Sequence, residues 1–221
     1  MSQRPRAVLF DLDGTLVDSA PDLAGSANDM REARALERLP LAHFRPMVGS
    51  GARGMVARAL GVHSDDPQFL ALRDEFLQRY EARMTRETRV FADMRPVLSA
   101  LAEQGISWGI VTNKATRFSQ PLVEALGLHT ATATLVCGDT TPHTKPHPAP
   151  LLEAARRLNL PAEHCWYVGD DHRDVLAGHA AGMTTVAAAW GYLGDGLPIS
   201  DWGAHHVIRS PAELLNLLAM A

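Results

Sequence analysis

Two cysteines in 221 residues, Cys137 and Cys165, are too few to staple a fold together. Each sits in an apolar stretch, where a buried reduced thiol is the expected state. An excess of either charge is also lacking. Twenty-one basic and 25 acidic residues, well mixed, leave a formal charge of −4 and no extended positive field to grip a polyanion, which argues against nucleic acid as the main partner. No apolar run approaches the length needed to span a bilayer. Arg4 and Arg6 precede only four apolar residues, 7–10, before acids begin, whereas a secretory leader needs a longer apolar region and a cleavage site. These absences point to the cytoplasm. Internal repeats and low-complexity segments are missing too, and nothing in the sequence fixes an oligomeric state.

What is present suits a folded chain. With 46% hydrophobic and 21% charged residues, the composition can bury a core and has none of the polar bias of disorder. Short apolar runs at 7–10, 106–112, 133–137, 165–168 and 184–188 read as buried strands. Helical patterns lie between them. Pro96 opens one that stops at Gly105, and Pro148 with Pro150 precedes another through Leu158. Strand and helix in alternation predict a doubly wound parallel α/β sheet, with functional loops at the carboxyl ends of its strands. From Pro21 to Thr88 the pattern changes. No strand is evident there, and Phe69, Leu72, Phe76, Leu77 and Tyr80 form one apolar helical face. Because this stretch lies between the first and second strands, it reads as a helical cap over the active edge of the sheet. The expected division is a core of residues 1–17 and 89–221 and a cap of residues 18–88.

Four motifs fall at ends of the expected strands or close to that edge. Asp11-Leu12-Asp13-Gly14-Thr15-Leu16 follows the first strand, and its two carboxylates can both point into the loop region above the sheet. Thr112-Asn113 ends the second strand and offers a hydroxyl and backbone amides to phosphate oxygens. Lys145-Pro146 supplies a cation near a rigid turn. Val168-Gly169-Asp170-Asp171-His172-Arg173-Asp174 again puts a glycine and acids where a helix begins. Each has an ordinary reading when taken alone: turn and capping acids, Thr and Asn as helix caps, a solvated lysine, and acids favouring a helix amino terminus. A parallel sheet gathers all four at one edge, making one constellation of acids, a hydroxyl and a lysine.

In order, spacing and context these motifs resemble the haloacid dehalogenase-like superfamily over essentially the whole chain. The resemblance implies a Rossmann-like core of strand order 5-4-1-2-3 with a helical cap inserted after the first motif. Val111-Thr112-Asn113-Lys114 with Arg117-Phe118, Gly169-Asp170-Asp171 with Arg173-Asp174, and Trp190-Gly191-Tyr192 with Asp201-Trp202-Gly203-Ala204 resemble the phosphoglycolate phosphatase group. They are especially similar to its branch acting on N-acetylmuramic acid 6-phosphate. In this setting Asp11 is the expected nucleophile, forming an aspartyl-phosphate. Asp13 would protonate the leaving oxygen and then deprotonate water. Thr112 and the Asn113 backbone would hold the phosphoryl oxygens, and Lys145 would neutralise charge shared by Asp11 and phosphate.

An oxygen-rich set of Asp11, the Asp13 carbonyl and Asp170 suits magnesium. Asp171 and Asp174 are expected behind it, orienting water ligands or Lys145. As the resemblance has it, many relatives carry serine at position 171. Zinc is not expected, because Pro146 interrupts His143 to His147. Substrate choice falls to the cap, where Arg53, within Val48-Gly49-Ser50-Gly51-Ala52-Arg53-Gly54, could meet a substrate carboxylate or phosphate. If it does not, Gly49 and Gly51 simply join two helices and Arg53 is solvated. The expected function is magnesium-dependent hydrolysis of a small phosphorylated metabolite, phosphoglycolate first and N-acetylmuramic acid 6-phosphate as the alternative. Three other readings remain. A phosphosugar mutase would return its phosphoryl group to a second substrate oxygen. A dehalogenase, the resemblance implies, would not keep an acid at 13. A non-catalytic binding module should have lost a catalytic residue.

Overall fold

The computed structural model of the protein describes residues 4–194 and 196–220. Its frame is a six-stranded sheet with every neighbouring pair parallel. The strands are β1 (Ala7–Phe10), β4 (Ser107–Val111), β5 (Leu135–Val136), β6 (Cys165–Gly169), β7 (Thr184–Ala188) and β8 (His206–Ile208). A two-stranded antiparallel ribbon joins β2 (Val17–Asp18) to β3 (Arg89–Val90).

The sheet order β5-β4-β1-β6-β7-β8 contains the five expected strands in the expected sequence, with β1 between β4 and β6. It adds a sixth strand at one edge. That addition was hidden because β8 is three residues long, begins with a histidine and is buried only at Ile208, so it shows no apolar run. β1, by contrast, is buried at all four positions, as a strand covered on both faces must be.

Helices α5 (Met94–Glu103), α6 (Thr116–Ala125), α7 (Ala149–Arg157), α8 (His172–Ala181) and α9 (Glu213–Met220) flank the sheet. α5 begins two residues before Pro96, and α7 one residue before Pro150. Proline is tolerated there because the first turn of a helix has no intrahelical partner for its N–H groups. α5 stops as expected, since Gly105 has φ +69°, a conformation glycine adopts without steric cost.

Between β2 and β3 the chain forms helices only: α1 (Ala20–Glu32), α2 (Leu41–Phe44), α3 (Gly51–Leu60) and α4 (Phe69–Glu81), with a 3₁₀ turn at Arg45–Ser50. Phe69, Leu72, Phe76 and Tyr80 are the buried face of α4, and they join Met30, Phe44 and Met55 in a second apolar cluster. Full burial of each such side chain contributes about 1.5–3 kcal/mol. Phe118 of α6 and Tyr192 belong to the same cluster, so the insert packs on the sheet domain as well as on itself. Its base is tied by Asp22 of α1, fully buried. Asp22 Oδ2 accepts from Glu87 N at 3.0 Å, Thr88 N at 2.8 Å and Thr88 Oγ1 at 2.8 Å. Arg83 lies 3.6 Å from its other oxygen.

Candidate active site

Parallel strands end on one edge, so residues that follow different strands become neighbours there. The register pairs Phe10 with Ile110 on one side and with Val168 on the other, which brings Asp11, Thr112 and Asp170 around one point. The Asp11 amide donates to Val168 O at 2.9 Å. Lys145 arrives on the segment between β5 and α7. Its Nζ meets Asp11 Oδ1 at 2.7 Å, Asp174 Oδ1 at 2.8 Å, Tyr167 Oη at 2.7 Å and Val111 O at 3.1 Å. Asp11, Asp170 and Asp174 offer carboxylate oxygens that all lie within 4.8 Å of one another. Asp11, Asp13, Thr112 and Lys145 line a cavity of about 110 Å³ that also borders Val48 and Gly49 of the insert.

The surrounding residues hold these groups in place. Asp170 Oδ1 accepts from Thr15 Oγ1 at 2.9 Å, and its Oδ2 from Tyr192 N at 2.7 Å. Gly14 and Gly191 leave room for it: a Cβ on either would come within 2.2 Å of the Asp170 side chain. Asn113 uses its side-chain amide to bracket the Lys145 backbone, donating to O and accepting from N, both at 2.9 Å. Asp174 Oδ2 accepts from Asp171 N at 3.0 Å. Asp171 caps α8 by accepting from Arg173 N at 2.9 Å, and both its oxygens accept from the Arg173 guanidinium. Arg173 in turn donates to Gly49 O of the insert at 2.5 Å.

Electrostatics follow from crowding three carboxylates in a buried place. Burial pushes Asp11 up from 3.8 to about 7, against the pull of Lys145 and with a further push from Asp174. Asp170 is raised well above its ordinary value by burial, then by the charges of Asp11 and Asp174. Burial alone would lower the Lys145 ammonium, but Asp11 and Asp174 outweigh it and hold the group protonated. One ammonium against three carboxylates leaves negative charge uncompensated. The donors are hard oxygens, so the set fits a divalent cation such as magnesium, which would relieve that charge.

The structure brings Asp11, Thr112, Lys145, Asp170 and Asp174 together. The Asp13 side chain turns from the three-acid cluster towards Lys114 and Ser19. Arg53 is exposed on α3 and lines an adjoining outer pocket of about 400 Å³, not the cavity around Asp11. The guanidinium bordering the inner cavity is that of Arg173. Sequence reasoning missed Lys114 as a site residue. Its Nζ lies 2.9 and 3.0 Å from the two Asp13 carboxylate oxygens. A lysine in the turn before a helix carries no mark of this, although its place beside Thr112-Asn113 was a usable signal. Tyr167 and Tyr192 were likewise invisible as supports, because their hydroxyls act across elements distant in sequence.

The family model described as haloacid dehalogenase-like hydrolase matches residues 8–188. A phosphoglycolate phosphatase of Xanthomonas campestris pv. campestris is 48% identical over 211 residues, covering 95% of each chain. An N-acetylmuramic acid 6-phosphate phosphatase of Pseudomonas aeruginosa is 38% identical over 218 residues, covering 99% of this chain and 96% of the other. Among solved structures, a predicted phosphoglycolate phosphatase from Haemophilus somnus superposes with a TM-score of 0.85 at 28% identity, covering 98% of this chain and 99% of that one.

Proposed function

From the premise that the chain belongs to the haloacid dehalogenase-like hydrolases and is a phosphatase among them, we propose that it hydrolyses phosphoglycolate through an aspartyl-phosphate on Asp11. The observation that carries this reading is the inner cavity of about 110 Å³. Its lining of Thr112, Lys114, Lys145 and Arg173 among the acids suits a phosphoryl group carried on a small acid.

Asp11 Oδ attacks phosphorus, the ester P–O bond breaks, and water later attacks the same phosphorus to release phosphate and the free carboxylate. Lys145, fixed by four contacts, offsets charge at Asp11 without reorganising during the reaction. The Thr112 hydroxyl and the backbone of the Thr112-Asn113 turn bind phosphoryl oxygens. The Asn113 side chain keeps Lys145 in register. Asp13 gives a proton to the leaving oxygen and takes one from the attacking water, a role typically worth 10²–10⁴-fold. Asp11, Asp170 and the Asp13 carbonyl would hold magnesium, with Asp174 behind them, and the ion would draw the substrate phosphate in and offset its charge. Residues 18–88 act as the cap, on a core of residues 1–17 and 89–221. Buried, unpaired Cys137 and Cys165 support the reducing cytoplasm as the place of action.

The outer pocket favours a second reading. It shares Gly49, Asp171, Arg173, Leu193 and Gly194 with the inner cavity and adds Arg53 and Trp202. With the cap opened at the Arg173 to Gly49 contact, N-acetylmuramic acid 6-phosphate could leave its sugar there and its carboxylate on Arg53. Measuring kcat/KM for both substrates on wild type and Arg53→Ala tests the choice. Phosphoglycolate as the better substrate, unaffected by loss of Arg53, supports the first reading. Preference for the amino sugar, lost by about 10-fold or more in the variant, would replace it with the second. Fast isomerisation of a sugar phosphate with slow hydrolysis would identify a mutase instead.

A further inference from the structure

Asp13 has both carboxylate oxygens occupied. Oδ1 accepts from Ser19 Oγ at 2.5 Å and from Lys114 Nζ at 2.9 Å, and Oδ2 accepts from Lys114 Nζ at 3.0 Å. A carboxylate has about four acceptor positions and three are taken here, so release of a partner would free a whole oxygen to face the ester oxygen of a substrate. Lys114 is the partner that borders the inner cavity. The other cations are committed elsewhere: Lys145 to Asp11 and Asp174, Arg173 to Asp171 and Gly49, and Arg53 to the outer pocket.

We propose, building on the phosphatase reading, that Lys114 is the specificity-determining residue that binds the carboxylate of a two-carbon phospho-acid and in doing so leaves Asp13. In such a substrate a single methylene separates the carboxylate from the ester oxygen. An Asp13 oxygen within hydrogen-bond reach of that ester oxygen therefore places the carboxylate beside an ammonium that already lies within 3.0 Å of Asp13. A second donor adjoins it. The Lys114 ammonium sits over the Tyr80 ring, 4.7 Å from its centroid. The Tyr80 hydroxyl is buried and makes no geometric hydrogen bond among the described residues, the Lys114 ammonium being the charged group that acts on it, so a carboxylate drawn to Lys114 would give it an acceptor. Tyr80 belongs to α4 of the insert, so carboxylate recognition would draw on both parts of the molecule. A phosphate ester without the carboxylate would leave Lys114 on Asp13 and gain nothing from either donor.

The test compares phosphoglycolate with ethyl phosphate, which has the same two carbons and no carboxylate, in the magnesium-loaded enzyme. Wild type should prefer phosphoglycolate. Lys114→Met should lower its kcat/KM about 10- to 100-fold, the scale of a charge-assisted hydrogen bond, with a much smaller loss on ethyl phosphate. Lys114→Arg, which keeps the charge, should retain most of the preference, and it serves as the readout if the methionine variant does not fold. Glycolate binding measured by calorimetry on metal-free protein should weaken in the methionine variant by a similar factor. Equal losses on the two esters, or no loss on either, would overturn the proposal. So would a wild type that hydrolyses both esters alike, or an arginine variant that loses the preference. Those results leave the phosphatase reading standing, whereas a wild type that hydrolyses no phosphate ester refutes that reading itself.

Discussion

Replacing Asp11 by asparagine should abolish turnover and at the same time make the metal-free protein more stable. The reason is the environment of Asp11. Burial and Asp174 raise its folded value from 3.8 to about 7 even with Lys145 in contact. Below pH 3.8 the carboxyl is protonated in both the folded and unfolded chains and costs nothing. Between pH 3.8 and 7 the unfolded chain ionises while the folded one does not, so stability falls by 1.36 kcal/mol per pH unit. Above pH 7 the penalty is full, about 4 kcal/mol. A neutral amide removes it. The attraction of Lys145 is already contained in that shifted value, so the gain at pH 8 is about 2–4 kcal/mol, the lower figure allowing for a poorer hydrogen bond from the amide to Lys145. For a chain of this length that raises Tm by about 4–16 °C. Thermal unfolding followed by circular dichroism in chelator at pH 8 and pH 5 reads the effect. At pH 5 the advantage should shrink to about 1.6 kcal/mol or less. Magnesium, which engages the wild-type carboxylate, should narrow the gap at pH 8. A variant no more stable than wild type at pH 8 in chelator would refute the argument that the acid cluster is electrostatically strained. One that keeps more than about a tenth of wild-type turnover, a barrier change of only ~1.4 kcal/mol, would refute the nucleophile assignment.

Exhaustive chelation should abolish phosphatase activity and magnesium should restore it, with calcium inhibiting because its coordination is larger and looser; full activity after chelation would sink the metal assignment. Asp22→Ala should cost about 2–4 kcal/mol, because it leaves three buried donors without their acceptor while Arg83 keeps Asp29 and Glu87, and Tm should drop by about 4–16 °C. A drop under about 3 °C would mean that the base of the insert is held by packing alone. Native protein should be inert to a thiol reagent at pH 8, since Cys137 and Cys165 are buried and burial pushes the Cys165 thiol up to about 11; denaturant should expose two thiols, and rapid labelling before unfolding would contradict the buried placement.

The candidate active edge was legible in the sequence because it is built from strand ends. Apolar runs that terminate in Asp11, Thr112 and Asp170 fix the strands together with the residues at their carboxyl ends, and parallel pairing leaves one edge where these residues can meet. The α4 face was legible for the same reason of period, with Phe69, Leu72, Phe76 and Tyr80 repeating at helical spacing. Two-residue strands such as β2 and β3 carry no period, and β8 has too little buried surface to show one, so pairing alone decided them. Chain fold also decided the partners of each charge. Asn113 was expected to serve phosphate through its backbone, yet its side chain serves Lys145. Asp171 caps α8 and holds Arg173, while Asp174 is the acid that touches Lys145. Arg53 was the cation in the expected cap loop, but α3 turns it to the outer pocket. Lys114 meets Asp13 across 101 residues. Local sequence determines which groups are present and which strand end carries them. Which acid each cation faces depends on distances between segments far apart in the chain, and only the packed tertiary structure sets those distances.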